Sequence, residues 1–313
     1  MATSSSSSSP LPPPQRGGPA PWRSVFLDHV HAMASPEFVL STTRRVPLDP
    51  DPQGAGSTHA GYATVVPRAR TCIFRGLWAE LPVNPKNEAE LNPGGVWESD
   101  CPTFTTDARM DKMGELFDVA EEGEGREWVR GSGGGAHVEA VWWCGQFGTQ
   151  WRVRGRVYVV APDVEEEEGS GGGEKVRAAV GACMRGVKKG EGAEAKGMGR
   201  KDEEGKWSFA RELAAHFGNL SPGMRGTFRN PPPGAPVEDN PAGDGLGLGQ
   251  KVTDLEDEIA RRNFRVAVIV PEEVDRCDLS DPARGRRWVY RYVGAQGKGK
   301  DTENGWEKVE VWP

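Results

Sequence analysis

The sequence predicts a mainly β fold, an antiparallel barrel that is closed or nearly closed and carries a few peripheral helices. From Trp151 to Val159 every second residue is apolar or glycine, and the residues between them are arginine or tyrosine. This period of two indicates a strand with one buried face. Other segments of strand character recur along the chain and do not alternate with long helices, which argues against a doubly wound sheet.

The remaining elements follow from local pattern and composition. Strands are predicted at 69–74, 103–106, 138–143, 264–270, 287–293 and 306–312, where apolar, aromatic and β-branched residues cluster. Helices are predicted at 22–33, 108–117, 208–217 and 253–262, with a shorter one at 176–184. Asp107 is placed to cap the N-terminus of the 108–117 helix. Several short strands with few helices are typical of a small antiparallel barrel.

Composition indicates one domain that is smaller than the chain. The 313 residues include 42 glycines, 25 prolines and 36% hydrophobic residues, together with 11 tryptophans that need a core. Residues 1–20 are interpreted as a disordered Ser/Pro-rich tail. Residues 21–313 are interpreted as a single domain with low-complexity insertions at about 121–136, 163–206 and 230–250. Deleting 169–205 is therefore expected to leave the melting temperature almost unchanged.

Charge and residue spacing argue against several classes of function. A formal net charge of -7 disfavours nucleic-acid binding, and no segment has the roughly 18 consecutive apolar residues of a membrane helix. The cysteines form no CxxC pair and the histidines no HxxxH or HExxH pair, so no metal site is expected. The glycine clusters at 131–135 and 243–249 lack the context of a phosphate-binding loop. We expect a cytoplasmic protein, although a nuclear location is also compatible with the sequence.

Two groups of basic residues lie beside predicted strands. Arg70 and Arg75 flank the apolar residues 72–74, a position that also suits solvated charges at the rim of a sheet. A pair of threonines at 105–106 precedes the predicted helix that carries Lys112. Hydroxyl groups, a lysine and a helix N-terminus can together bind a phosphate. The same residues also suit ordinary helix capping with surface charges, and the spacing leaves both interpretations open.

Six motifs, taken in order, carry a resemblance to a known family. They lie at 70–76 (RTCIFRG), 104–112 (FTTDARMDK), 142–143 (WW), 150–155 (QWRVRG), 287–291 (RWVYR) and 306–313. Their order resembles the pyridoxamine 5'-phosphate oxidase-like family of FMN-binding split barrels. The closest similarity is to the branch whose members read RTxxFRG and TTDxRxxK. The resemblance covers about residues 21–313, interrupted by the predicted insertions.

The resemblance implies a six-stranded antiparallel split barrel that forms a homodimer, with one FMN at each of two sites between the subunits. The candidate cofactor-binding residues are Arg70, Thr71, Cys72, Ile73, Arg75, Thr105, Thr106, Lys112, Gln150 and Arg287. Residues 70–73 would line the flavin ring and ribityl chain, Arg70 would also reach the phosphate, and Arg75 would lie near flavin and substrate. The threonine pair and Lys112 would bind the ribityl-phosphate end. Gln150 and Arg287 would reach the flavin from the neighbouring subunit.

Three departures from the family pattern bear on the substrate. Met110 replaces a serine of the phosphate motif, and Ala283 and Gly285 stand where the true oxidases carry an Arg-x-His pair that grips the substrate. The Tyr, Arg and Ser residues that bind the substrate phosphate in those enzymes have no match between 163 and 228. Binding energy from a substrate phosphate helps to position the reacting carbon. The resemblance therefore supports FMN binding better than vitamin B6 oxidation.

The sequence thus predicts an FMN-binding flavoprotein that acts as an oxidoreductase on an unidentified small-molecule substrate, with no catalytic residue identified. Two alternatives stay open. One is a genuine pyridoxamine or pyridoxine 5'-phosphate oxidase in which Arg284, Arg286 or a loop residue replaces the missing pair. The other is a non-catalytic protein that binds or senses FMN. Polyanion binding by the arginines at 152, 154 and 156 is a weaker alternative, since a solvated strand face explains them.

Overall fold

Antiparallel strands dominate the structure, and the helices lie at the periphery. The structure is a computed structural model that describes residues 16–46, 64–82, 84–118, 130–166, 171–187, 207–239, 245–295, 297, 299 and 301–313. The predicted mainly β fold is confirmed. None of the helices in this part of the chain is long and apolar enough to span a membrane.

The secondary-structure elements of the described residues are named in chain order. The strands are β1 (Glu37–Val46), β2 (Thr64–Ile73), β3 (Trp97–Glu98), β4 (Thr103–Asp107), β5 (Gly133–Cys144), β6 (Thr149–Val160), β7 (Arg185–Gly186), β8 (Phe264–Asp278), β9 (Arg286–Tyr292), β10 (Thr302–Glu303) and β11 (Trp306–Val311). The α-helices are α1 (Arg23–His31), α2 (Lys112–Phe117), α3 (Gly172–Gly181), α4 (Phe209–Asn219), α5 (Pro222–Gly226) and α6 (Glu258–Asn263).

One antiparallel sheet organises the described chain. Its strands follow the order β10-β11-β9-β8-β6-β5-β1-β2, and β4 pairs with β8 outside this path. β6 lies between β5 and β8. The residues of β6 that are predicted to face the core are all buried: Trp151, Val153, Gly155, Val157 and Val159. β8 continues past the predicted end at 270 to Asp278, and β1 has no counterpart among the predicted strands.

The barrel expected from the resemblance is not seen as a closed set of paired strands in the described residues. β2 ends the strand order, and no strand pairing joins it to β4. The residues after β2 make the connection instead: the Arg75 N–H donates to the Thr103 carbonyl, and the Thr103 N–H donates to the Gly76 carbonyl, both at 2.9 Å. Gly76 has a φ of +114°. Because a side chain is strained in this conformation, the turn out of β2 favours glycine.

The first core lies between the sheet and α1. The ring of Phe26 meets four aromatic rings edge to face at centroid distances of 5.1 to 6.0 Å: those of Trp22, Phe74, Trp142 and Trp151. Edge-to-face contacts of this kind add to the stabilisation from burial. Phe26 and Val30 of α1 are fully buried, as the amphipathic pattern of 22–33 predicts. The helix is therefore fixed on the sheet mainly by aromatic packing.

The second core lies where β4 and β8 meet the later helices. Trp78, Phe209 and Phe217 are buried in it together with Phe264, at the start of β8. The Trp78 ring lies 5.2 Å from the Phe209 ring. Ser208 caps the N-terminus of α4, since its hydroxyl oxygen accepts a hydrogen bond from the Arg211 N–H at 3.1 Å. The helix thus starts within one residue of the predicted start at 208.

Part of the predicted insertion at 163–206 belongs to the second core. α3 and β7 lie inside it, and Val176, Val180 and Met184 are fully buried. The buried Arg185 forms a 2.7 Å ion pair with Asp100. Deleting 169–205 would remove these contacts and should destabilise the fold, contrary to the expectation from composition. Residues 167–170 and 188–206 lie outside the described residues.

The end of the predicted tail at 1–20 is packed as well. Arg16 is buried, its guanidinium donates to the Pro271 carbonyl at 2.8 Å, and it lies 4.5 Å from the centre of the Tyr292 ring. Ala20 is also buried. Residues 1–15 lie outside the described part of the chain.

Two predicted helices begin later than their sequence pattern indicates. Asp107 does not cap the 108–117 helix, because it is the last residue of β4 and its carboxylate accepts from the Arg109 N–H at 2.8 Å. The helix begins at Lys112 instead. In the 253–262 segment the helix starts at Glu258, where the Asp257 carboxylate accepts from the Ala260 N–H at 2.8 Å.

The second core contains a buried acid and a buried imidazole. Glu212 is 3% exposed and His216 is 2% exposed, and their Oε1 and Nε2 atoms lie 3.9 Å apart. Burial raises the pKa of Glu212 from 4.5 to about 7. Burial, and then the charge of Arg75, lower the pKa of His216 from 6.5 to about 3. Both groups are therefore held in or near their neutral forms, as their apolar surroundings demand.

We expect Met184→Ala to lower the free energy of unfolding by about 2–5 kcal/mol, because it leaves a cavity in the second core. Chemical denaturation monitored by tryptophan fluorescence measures this change. Glu174→Gln, at an exposed position of α3, is the control and should stay within roughly 0.5 kcal/mol of the wild type. Equal stability of the two variants would show that 171–187 does not contribute to the core.

A second prediction concerns pH. Because the folded state holds the Glu212 proton more tightly than the unfolded chain, this group's contribution to stability is present below pH 4.5 and is lost as pH rises to about 7. The unfolding free energy of the wild type minus that of Glu212→Gln should therefore fall by ~2–3 kcal/mol across this range. The His216 contribution runs in the opposite direction and cancels in the difference. Urea titrations from pH 4.5 to 7.5 test this, and a difference that does not change with pH would contradict it.

Candidate functional site

A cavity of about 580 Å³ lies between β2, β4 and the segment that follows α5. This volume falls within the range of pockets that hold small molecules and cofactors. Seven of the ten candidate residues line it: Thr71, Cys72, Ile73, Arg75, Thr105, Thr106 and Lys112. The structure thus brings together two motifs, at 70–76 and 104–112, that are separate in sequence. The backbone bonds between residues 75–76 and Thr103 account for their proximity.

Two basic side chains in the cavity have no ion-pair partner among the described residues. Within the described residues, neither Arg75 nor Lys112 has a side-chain hydrogen bond or an ion pair, and the Nε of Arg75 is buried without a partner. Burial lowers the pKa of Arg75. Burial, and then the nearby charge of Arg70, lower the pKa of Lys112, while the charges of Cys72, Glu115 and Asp107 oppose that shift. An anion would compensate for the energetic cost of burying these two cations, so the cavity favours a negatively charged ligand.

Hydroxyl and thiol groups complete the polar lining. The hydroxyl groups of Thr71 and Thr105 have no hydrogen-bond partner in the described part of the chain, and the Thr106 hydroxyl lies 3.6 Å from the sulfur of Met110, a weak acceptor. Burial raises the pKa of the Cys72 thiol. The thiol therefore remains uncharged at neutral pH and is unsuited to act as a nucleophile.

Among the described lining residues, the one carboxylate is paired with a cation. Asp107 forms a 2.6 Å ion pair with Arg109, which also donates to the carbonyls of Asn230 at 2.8 Å and Phe228 at 3.3 Å. Asn263 donates to the same Phe228 carbonyl at 2.8 Å. Arg109 therefore connects the floor of the cavity on β4 with its opposite wall.

That opposite wall is apolar and rich in proline. It contains Pro231, Pro232, Pro233, Pro236, Val237 and Leu248, all within the segment at 230–250 that composition indicates to be a low-complexity insertion. Val237 and Leu248 are 90% and 81% exposed, which places apolar surface at the edge of the cavity. Sequence reasoning missed these residues. Consecutive prolines have a fixed φ and favour a stiff segment. The run of prolines at 231–233 was therefore the sequence signal that could have identified this wall.

Arg70 lies outside the cavity lining. Its guanidinium donates to the Thr42 hydroxyl at 2.5 Å and to the carboxylate of Glu115. Glu115 is buried and also pairs with Arg44 at 2.9 Å. In this structure Arg70 holds α2 against β1 and β2, and α2 carries Lys112. A direct contact between Arg70 and a phosphate stays a prediction.

Gln150 and Arg287 also lie away from this chain's cavity. Across three adjacent strands, Gln150 pairs with Cys277, and Cys277 pairs with Arg287. Arg287 forms a 2.7 Å ion pair with Asp275. The two candidate residues therefore occupy one row of the sheet. Their expected approach to a flavin from the neighbouring subunit stays a prediction.

Comparison with known proteins gives one family match. Residues 19–161 match the family described as pyridoxamine 5'-phosphate oxidase, FMN-binding domain. The match includes all seven candidate residues that line the cavity, whereas the proline-rich wall lies beyond its end. No curated protein matches the chain.

Two solved structures illustrate the similarity to known folds. One is a pyridoxamine 5'-phosphate oxidase-related, FMN-binding protein from Nostoc punctiforme, at 16% identity and a TM-score of 0.47, covering 95% of this chain and 100% of that chain. The other is PhzG from Burkholderia lata, in complex with tetrahydrophenazine-1-carboxylic acid, at 10% identity and a TM-score of 0.36, covering 96% and 100%. Both TM-scores are below 0.5, so the similarity rests on the sequence: residues 19–161 match the pyridoxamine 5'-phosphate oxidase FMN-binding domain family.

Proposed function

We propose that the 580 Å³ cavity binds FMN and that the protein is an FMN-dependent oxidoreductase. The observation that carries this proposal is the pair of unpartnered cations, Arg75 and Lys112, in a cavity also lined by threonine hydroxyls. The family assignment supports the choice of FMN over other anionic ligands. The substrate stays unidentified.

The residues present fit the chemistry of FMN. Lys112 and the hydroxyls of Thr105 and Thr106 can donate to a phosphate, and charge-assisted bonds of this kind are the stronger ones. The apolar side chains at 231–237 offer a surface against which a ring can pack. Met110 supplies no hydroxyl where the family has a serine, so the phosphate contacts depend more heavily on Lys112.

FMN, when bound, supplies the hydride and electron transfer. The chain's own residues would bind, orient and shield it. Arg75 would place a positive charge beside the ring, which favours the anionic reduced form. The proline wall and Cys72, as an uncharged thiol, would keep water away from one side of the cavity. Asp107 is held by its ion pair with Arg109.

The split barrel and the dimer are part of the same proposal. β1, β2, β4, β5, β6 and β8 would form the barrel, and the backbone bonds from residues 75–76 to Thr103 support closure between β2 and β4. Trp143 pairs with Gln150 and is 55% exposed. An exposed tryptophan beside the row of Gln150 and Arg287 supports a subunit interface there. The partner would then supply those two residues to the flavin.

A non-catalytic role in FMN binding is the second candidate function. It is favoured because, among the described residues that line the cavity, the one carboxylate is paired and no histidine is present. A genuine pyridoxamine 5'-phosphate oxidase has less support. Arg286, one of the residues that could replace the missing pair, is bound to Glu310 at 2.8 Å.

Changing Lys112→Ala should weaken FMN binding by roughly tenfold to a hundredfold, since it removes a charge-assisted hydrogen bond to the phosphate. Fluorescence titration of the apoprotein with FMN measures the affinity. Titration with riboflavin, which lacks the phosphate, should give nearly equal affinities for the variant and the wild type. Lys251→Ala, at an exposed position, is the matched control. Unchanged FMN affinity in Lys112→Ala would contradict the proposed phosphate site.

If the flavin site spans two chains, then dissociating the subunits must release the flavin. Trp143→Asp places a charge on the proposed interface and should yield a monomer that does not retain FMN, whereas Trp143→Tyr should retain both the dimer and FMN. Analytical ultracentrifugation at the protein and flavin wavelengths measures both properties at once. A monomer that still carries FMN would rule out the shared site.

A further inference from the structure

A second cavity of about 290 Å³ lies beside the first one. It is lined by the end of α1, by residues 74–76 after β2, by the loop at 81–82 and by the end of α4. Arg75 lines both cavities. A ligand in the second cavity would therefore share a side chain with the cofactor proposed for the first.

Two polar side chains that line the second cavity have nitrogen atoms without a hydrogen-bond partner among the described residues. Arg75 has no side-chain partner among the described residues. His216 is almost completely buried, and its Nε2 has no hydrogen-bond partner. Asn219 also lines the cavity, but its amide already donates to the Pro82 carbonyl at 2.6 Å and accepts from Asn87 at 2.8 Å.

The charge of the second cavity is positive. No Asp or Glu is among its lining residues in the described part of the chain. Glu80, in the neighbouring loop, is engaged by Arg23 at 2.6 Å. The lowered pKa of His216 keeps its imidazole neutral, and the raised pKa of Glu212, which lies behind it, reduces the charge of that carboxyl near neutral pH. His31 lies at the exposed edge.

The remaining surface of this cavity is apolar. Val30 contributes from α1, Met33 and Phe74 from the residues just after α1 and β2, and Leu81 and Leu220 from the two loops. The volume lies near the lower limit for pockets that hold small molecules. One cation, one neutral imidazole and an apolar surround are complementary to a small molecule with one carboxylate and an apolar body.

We propose that this second cavity is the substrate site and that it binds a small apolar monocarboxylate, whose carboxylate would be bound by both Arg75 and the Nε2 of His216. The proposal rests on the proposed function, because Arg75 would then lie between substrate and FMN. A carboxylate can accept two parallel bonds from a guanidinium, which fixes its orientation as well as its position. His216 is held in place by its stacked contact with Trp78, at 6.0 Å between ring centres.

The test uses benzoate and hexanoate as probes, with benzamide as the neutral counterpart of benzoate. The FMN-loaded dimer is titrated with each probe, and binding is followed by calorimetry and by the flavin absorption spectrum. We expect one carboxylate per chain to bind with a change in the flavin spectrum, and benzamide to bind at least tenfold more weakly. Failure of both carboxylates to bind to FMN-loaded protein would overturn the proposal.

Two variants test the roles of Arg75 and His216 in binding the carboxylate. Arg75→Met should abolish the preference for benzoate over benzamide. His216→Phe keeps an aromatic ring against Trp78 and should weaken benzoate about five- to tenfold while leaving FMN affinity unchanged. His137→Phe, at an exposed position away from both cavities, is the matched control. Equal benzoate binding by His216→Phe and the control would place the carboxylate elsewhere.

A parallel titration of the apoprotein separates this proposal from the proposed function. If benzoate binds to an apoprotein that ignores FMN, and His216→Phe weakens it, the anion site stands and the FMN proposal fails. If FMN binds and the carboxylates do not, only the substrate site fails. Competition between benzoate and FMN would place both in the first cavity and would overturn the assignment of the second.

Discussion

The buried carboxylate of Glu115 fixes the part of the molecule that carries the cofactor cavity. It accepts hydrogen bonds from Thr42, Arg44 and Arg70, which belong to β1 and β2, and thereby holds α2 against the sheet. Removing a carboxylate from water costs several kcal/mol unless other groups compensate, and these three donors do so together. Lys112 lies one turn earlier on the same helix, so its place in the cavity depends on this cluster.

The chain between Phe74 and Trp78 connects the two cores. Phe74 is buried in the first core and Trp78 in the second, while Arg75 and Gly76 are bonded to Thr103 through their backbones. Close packing at both ends leaves Arg75 little freedom to move. This fixed backbone position between the two cores explains how a single side chain can line two cavities.

The sequence pattern predicted the elements whose burial alternates cleanly and missed those that depend on distant partners. β6 is recognisable because every second residue faces the core. β1 is not, because its buried positions include Thr42, a polar residue that is buried only because Glu115 accepts its hydrogen bond. The late start of α2 has a similar origin, since Asp107 satisfies the local rule for a cap but is engaged by Arg109.

The candidate site shows the same difference between features that the sequence predicts and features that depend on distant partners. Motifs that lie on β2, β4 and α2 converge on one cavity, because the backbone hydrogen bonds between residues 75–76 and Thr103 bring them together. The proline wall could not be recognised as part of a site, since composition alone does not show what a stiff segment packs against. The roles of Gln150 and Arg287 depend on a second subunit, which the fold of one chain does not determine.

The bond network of Arg109 has a consequence for how ligands reach the cavity. Its guanidinium is paired with Asp107 on β4 and donates to the carbonyls at 228 and 230, so floor and wall cannot separate at this end without breaking these hydrogen bonds. The opposite end has no such brace among the described residues, and there Val237 and Leu248 face solvent. Ligand exchange should therefore proceed through this apolar mouth.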